Sequence, residues 1–158
     1  MLYLVQAAAT LVLASLAMQD VRARRLSNWL VSAFAALYFI AAALVPHAFA
    51  QLAGHVASAA AMLLLFGCLH HAGWLGGGDV KLAAAVFLWA GPALLLPVAT
   101  IVGLGGAAYA AVALLVARQR SSAPAGALAT RGVPYGVALA LGGALAVWAP
   151  FSYAVSLT

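Results

Sequence analysis

Long apolar runs separated by short polar interruptions dominate this chain. Residues 2–18 are almost uninterruptedly apolar and just long enough to cross a bilayer core. A second run covers 28–45 and ends at Pro46-His47, and a third covers 52–69. A Gly-rich connection, 70–78, leads into a fourth run that opens at Asp79 and stops at Gly91-Pro92, where two helix-breaking residues predict a turn. A fifth run continues to 117, residues 118–132 form a polar Ser/Pro/Gly-containing loop, and a sixth run covers 133–153. The pattern predicts an all-α bundle of six transmembrane helices, a single domain over 1–158, without a long internal repeat. Small residues spaced by four (Gly54 with Ser58, Gly103 with Ala107 and Ala111, Gly142 with Ala146) predict close helix contacts.

Composition makes the membrane assignment firm. Of the 158 residues 68% are hydrophobic and 6% charged, against roughly 25% charged in an ordinary soluble domain. So few charges cannot cover a water-soluble fold of this size. The first run is not a cleaved signal peptide on this reading, because no basic segment precedes it and Arg22, Arg24 and Arg25 follow it. The net charge of +5 comes without a basic stripe interleaved with aromatics, so no nucleic-acid partner is expected. It reads instead as topology. With six spans, all seven basic residues (Arg22, Arg24, Arg25, Lys81, Arg118, Arg120, Arg131) fall on one side. The positive-inside rule makes that side cytoplasmic and puts both termini outside, in a cell inner membrane.

The same count changes the meaning of the acids. Only two exist, Asp20 and Asp79, and both fall on the cytoplasmic side. An ionisable side chain in or beside a span is a functional-site candidate by default. Two carboxylates brought close share a proton, so that one activates water and the other polarises a peptide carbonyl and protonates the leaving amine. Each acid also has a plain structural reading. Asp79 after three glycines makes a good helix N-cap, and Asp20 could pair with a neighbouring arginine. Gly76, Gly77 and Gly78 allow unusual backbone dihedrals and close approach of an extended peptide. Lys81 and Arg25 tune such a pair, bind lipid phosphate, or anchor helix ends. His70 and His71 are adjacent and read as loop histidines, since neighbours do not share a helix face; neither metal nor cofactor is expected. The single Cys68 excludes an internal disulfide and reads as a small packing residue.

At this point the residues resemble a known family. Gly76-Gly77-Gly78-Asp79 fits the G-x-G-D motif of intramembrane aspartyl proteases, and Val80-Lys81-Leu82 resembles the extension seen in type IV prepilin peptidases. Asp20, followed by Arg24-Arg25-Leu26-Ser27-Asn28-Trp29-Leu30, resembles that family's first aspartate segment, although the family commonly has proline where this chain has Ser27. Gly132-Val133-Pro134-Tyr135-Gly136 resembles its late V-P-Y/F-G element. The resemblance implies Asp20 and Asp79 as the catalytic pair, with Asn28, Pro134 and Tyr135 helping to shape the site. The substrate it implies is a prepilin or pseudopilin with a short basic leader and an apolar helix, cut after the leader glycine at the cytoplasmic face. The chain opens directly on a span, without a cysteine-paired N-terminal region. It is therefore similar to the short, Tad/Flp-type peptidases, and N-methylation is not expected of it. Membrane lipids are expected partners, and self-association into a homo-oligomer is left open. Two other readings use the same acids: a presenilin-like or signal-peptide-peptidase-like protease, and a small proton- or cation-coupled transporter subunit.

Overall fold

The computed structural model describes residues 1–45, 49–119 and 135–149. All secondary structure in these residues is helical: α1 (Leu2–Ala23), α2 (Asn28–Leu44), α3 (Phe49–His71), α4 (Gly77–Gln119) and α5 (Tyr135–Trp148). α4 packs against α2, α3 and α5, while α1 packs against α2 and α5. The first arm of α4 is the centre of the bundle. Its Leu82, Ala83, Val86 and Phe87 are essentially inaccessible, and Trp89 stacks on Phe34 of α2 and donates its indole N–H to the Phe34 carbonyl at 3.0 Å.

Large apolar side chains also face outward, including Leu4 and Leu11 of α1, Leu64 of α3, and Leu96 and Leu104 of α4. A soluble monomer does not tolerate such a surface, whereas a bilayer solvates it. Among the described residues Leu2–Ala23 and Phe49–His71 are helices long and apolar enough to cross a membrane; Gly77–Ala108 is so by length and composition but is divided at Gly91, and α2 and α5 are shorter apolar helices.

Several boundaries differ from those expected. α1 runs on through Ala23, so Asp20 belongs to its last turn; Arg24 closes the helix at φ 50 and donates its N–H to the Asp20 carbonyl at 2.9 Å. α3 begins earlier than residue 52 and continues through His71, so His70 and His71 are helical and not loop residues. The helix stops at Gly73, at φ 80, with Trp74 N–H to Leu69 O at 3.0 Å and Gly73 N–H to His70 O at 2.9 Å. That pair of bonds is a Schellman ending, and its left-handed residue comes two positions after the histidines.

The turn expected at Gly91-Pro92 is present, and it divides α4 into two helical arms. Gly91 adopts φ 60, ψ −170, and helix continues on both sides of it. The arm 77–90 is about 21 Å long at 1.5 Å per residue, shorter than the roughly 30 Å hydrocarbon core. Along α5, Gly143 meets Val86 of the first arm, whereas Gly142 meets Val98 and Tyr135 meets Gly106 of the second, so the chain reverses at Gly91 and the two arms are the expected fourth and fifth runs. Residues 120–134 and 150–158, which include most of the expected last loop and the end of the sixth run, lie outside the described residues.

Glycine contacts redistribute the expected small-residue surfaces. At Gly54 a Cβ would stand 3.1 Å from the Pro92 ring, so this glycine lets α3 close on the break in α4. Gly142 serves the α4–α5 contact as expected, against Val98 and Val102, and Gly105 and Gly106 serve it from the other side. Gly103 does not: a Cβ there would meet nothing within 4 Å.

Candidate active site

The two acids come from opposite ends of the first four helices, Asp20 from the last turn of α1 and Asp79 from the first turn of α4. Both are more than nine-tenths buried, with relative exposures of 5% and 8%, and each lies within electrostatic reach of the other. Burial of an unpaired carboxylate is strongly unfavourable, so each needs donors. Both donors are the backbone N–H groups of glycines.

Asp79 is held by its own helix start. Gly76 is the residue before the first helical position; its carbonyl accepts the N–H of Asp79 at 3.1 Å and of Val80 at 3.3 Å. The Asp79 carboxylate accepts the Gly76 N–H in return. This is the reciprocal arrangement of a capping box with glycine in the capping place, so Asp79 occupies the third helical position and is not itself the cap. The expectation of unusual dihedrals at Gly76, Gly77 and Gly78 does not hold. Among the described glycines only Gly73 and Gly91 have positive φ. The triplet provides closeness instead: a Cβ at Gly76 would lie 3.1 Å from Asp79 Oδ2, one at Gly78 3.1 Å from Leu26 Cβ, and one at Gly77 3.6 Å from the His70 ring.

Asp20 is held from across the chain. Gly136, at the start of the described part of α5, donates its N–H to Asp20 Oδ2 at 2.8 Å. A Cβ at Gly136 would sit 2.6 Å from that oxygen, so no other residue fits without displacing the carboxyl. Gly136 was not among the expected site residues. Its only sequence signal was membership in the late motif, because its contribution is a main-chain donor and an absent side chain. Asp79 thus lies in the first turn of α4, where the helix dipole favours negative charge, whereas Asp20, in the last turn of α1, depends on the Gly136 N–H. Arg24, one turn after Asp20, adds a further positive field.

The other expected residues divide. Lys81 donates to Asn28 Oδ1 at 3.0 Å on the surface, tying the start of α4 to the start of α2. Ser27, standing where proline is usual, has φ −67, within the range a proline would impose, and its N–H donates to Gln19 Oε1 at 3.2 Å. The departure therefore keeps the backbone shape and adds a donor. Arg25 is exposed. Tyr135 is half-buried and packs over Gly106 of α4. Pro134 lies outside the described residues.

The sequence model of the type IV leader peptidase family matches residues 7–111 of the 158. The chain belongs to this family. No curated protein and no solved structure matches it. The matched segment of this leader peptidase contains both aspartates, the glycine triplet and the break at Gly91. The element that supplies the Asp20 donor, α5, lies beyond it. Leader peptidases cut leader peptides from precursor proteins, and the membrane-spanning helices of this one fit a membrane-bound member.

Proposed function

We propose that this leader peptidase is an aspartic endopeptidase that removes the leader of type IV or Flp-type prepilins or pseudopilins, cutting after the leader glycine at the cytoplasmic face of the inner membrane. The observation that carries this reading is the pair itself: the only two acids of the chain, distant in sequence, are buried together and each is oriented by a backbone N–H.

The chemistry follows from a shared proton. The ionised member of the pair takes a proton from a water as its oxygen bonds to the scissile carbonyl carbon, while the protonated member gives its proton to the carbonyl oxygen. Collapse of the tetrahedral adduct breaks the C–N bond as a proton passes to the nitrogen. The products are a leader carboxylate and a new amino terminus. The two carboxyls titrate as a pair, so neither role belongs to one residue alone. The arginines near Asp20 and Lys81 near Asp79 support the cytoplasmic orientation through the positive-inside rule.

The test is cleavage of a candidate precursor in membranes by wild type, Asp20→Asn and Asp79→Asn. Either substitution abolishes processing while the protein accumulates normally in the membrane. Cleavage that survives either change in purified protein rules out the two-aspartate mechanism.

A further inference from the structure

A cavity of about 280 Å³ opens between α3, the second arm of α4 and the start of α5. Met62 and Phe66 line it from α3, Phe87 and Gly103 from the two arms of α4, and Leu75 and Tyr135 from the chain next to the candidate active site. Leu75 directly precedes Gly76, whose N–H holds Asp79. Tyr135 directly precedes Gly136, whose N–H holds Asp20. One end of the cavity is therefore built by the same two short segments that orient the carboxyls. Apart from the Tyr135 hydroxyl, these six linings offer hydrocarbon and a thioether, with no charge.

We propose that this cavity is a specificity pocket that accepts one large apolar side chain of the substrate, on the membrane-embedded side of the scissile bond. The inference rests on the peptidase reading. A substrate whose apolar helix lies in the bilayer and whose leader junction reaches the aspartates must carry its first apolar residues past Leu75 and Tyr135. The volume suits a side chain and excludes a helix, whose diameter is about 10 Å even at its narrowest. A leucine or an aromatic buried there leaves the bond to be cut at the carboxyl pair. An alanine leaves the cavity partly unfilled and forfeits that burial.

Gly103 provides the means of testing it. It lines the cavity from α4 without positive φ, and an added Cβ meets nothing within 4 Å, so a side chain can be introduced at the cavity wall without a clash at its Cβ. The experiment compares wild type and Gly103→Phe in bilayer nanodiscs of fixed lipid composition. The substrates are two versions of one precursor, with Leu or Ala immediately after the scissile bond. Wild type is expected to favour Leu by about tenfold or more in kcat/KM, and Gly103→Phe to bring that ratio to near one, with a melting temperature in detergent close to wild type.

Three results overturn the proposal. Wild type may cut both substrates equally well. Gly103→Phe may lower both rates by the same factor, the behaviour of a cavity filled by a lipid acyl chain or of a general packing defect. It may also leave the ratio as in wild type. In each of these cases Asp79→Asn is still inactive and the peptidase reading stands. Wild type that cuts neither precursor, nor any other candidate precursor, fails the peptidase reading and this inference with it.

Discussion

Asp20 shows how a single glycine carries chemistry it has no side chain to perform. With Gly136 replaced by Ala, the new Cβ would lie 2.6 Å from Oδ2 and 2.8 Å from the carboxyl carbon, so the carboxyl must move. Because a misplacement of about 1 Å costs on the order of 10²-fold in a positioned reaction, Gly136→Ala should lower cleavage by tenfold or more in a precursor-processing assay. Gly143→Ala is the matching control. It crowds Leu13 and Val86 at 3.0–3.1 Å, in the bundle interior away from the acids. It should lower thermal stability while retaining cleavage per folded molecule. Lys81→Met removes an exposed hydrogen bond to Asn28 and should change stability by no more than about 0.5 kcal/mol in a denaturation series. The two acids were legible in the sequence because scarcity makes each one conspicuous. Their donors were not, since a main-chain N–H has no letter of its own.

The break in α4 is the element with the most to explain. A regular helix would satisfy the Leu88 carbonyl with the N–H of the residue four positions on, which is Pro92 and has none. His55 of α3 takes its place: its Nδ1 lies 2.8 Å from that carbonyl, and since a carbonyl only accepts, Nδ1 carries the proton. The imidazole fits because Gly91 lacks a Cβ, which would otherwise stand 2.5 Å from the ring, and Tyr38 stacks on it at 5.2 Å. Gly91→Ala combines a positive φ with that collision and should destabilise the bundle by at least about 1–3 kcal/mol. His55→Ala strands a carbonyl and should cost about 1–3 kcal/mol. Both are read as a fall in melting temperature in detergent. The dipeptide Gly91-Pro92 announced the interruption, but a histidine thirty-three positions from Leu88 gave no sign that it repairs it. The triplet before Asp79 was only half legible for a related reason. Glycine serves both for left-handed backbone and for close approach, and only the packing of Leu26 and Asp79 against it distinguishes the two.

At the scale of the molecule, the outward-facing leucines and the inward-facing acids describe one object with two solvents. The bundle presents hydrocarbon to lipid along its flanks and gathers Asp20, Asp79 and Lys81 at the ends of α1 and α4. If those ends face the cytoplasm, as proposed, the connector around Trp74, exposed beside Asp79, does so too. With Cys68→Ser as background, Trp74→Cys should react with a membrane-impermeant maleimide in inside-out vesicles and stay unlabelled in intact cells. The reverse pattern would invert the proposed orientation.

The bond between Gly136 and Asp20 spans 116 positions of sequence and so also spans the time of synthesis. Asp20 leaves the ribosome early and waits, through the making of α2, α3 and both arms of α4, for a donor that arrives only with α5. Until then that carboxyl lacks the Gly136 N–H. A nascent chain ended after α4 would carry both acids, the glycine triplet and the whole matched family segment, yet lack the part that aims Asp20. Because translation runs in one direction, the pair of acids can take this arrangement only after α5 has been made.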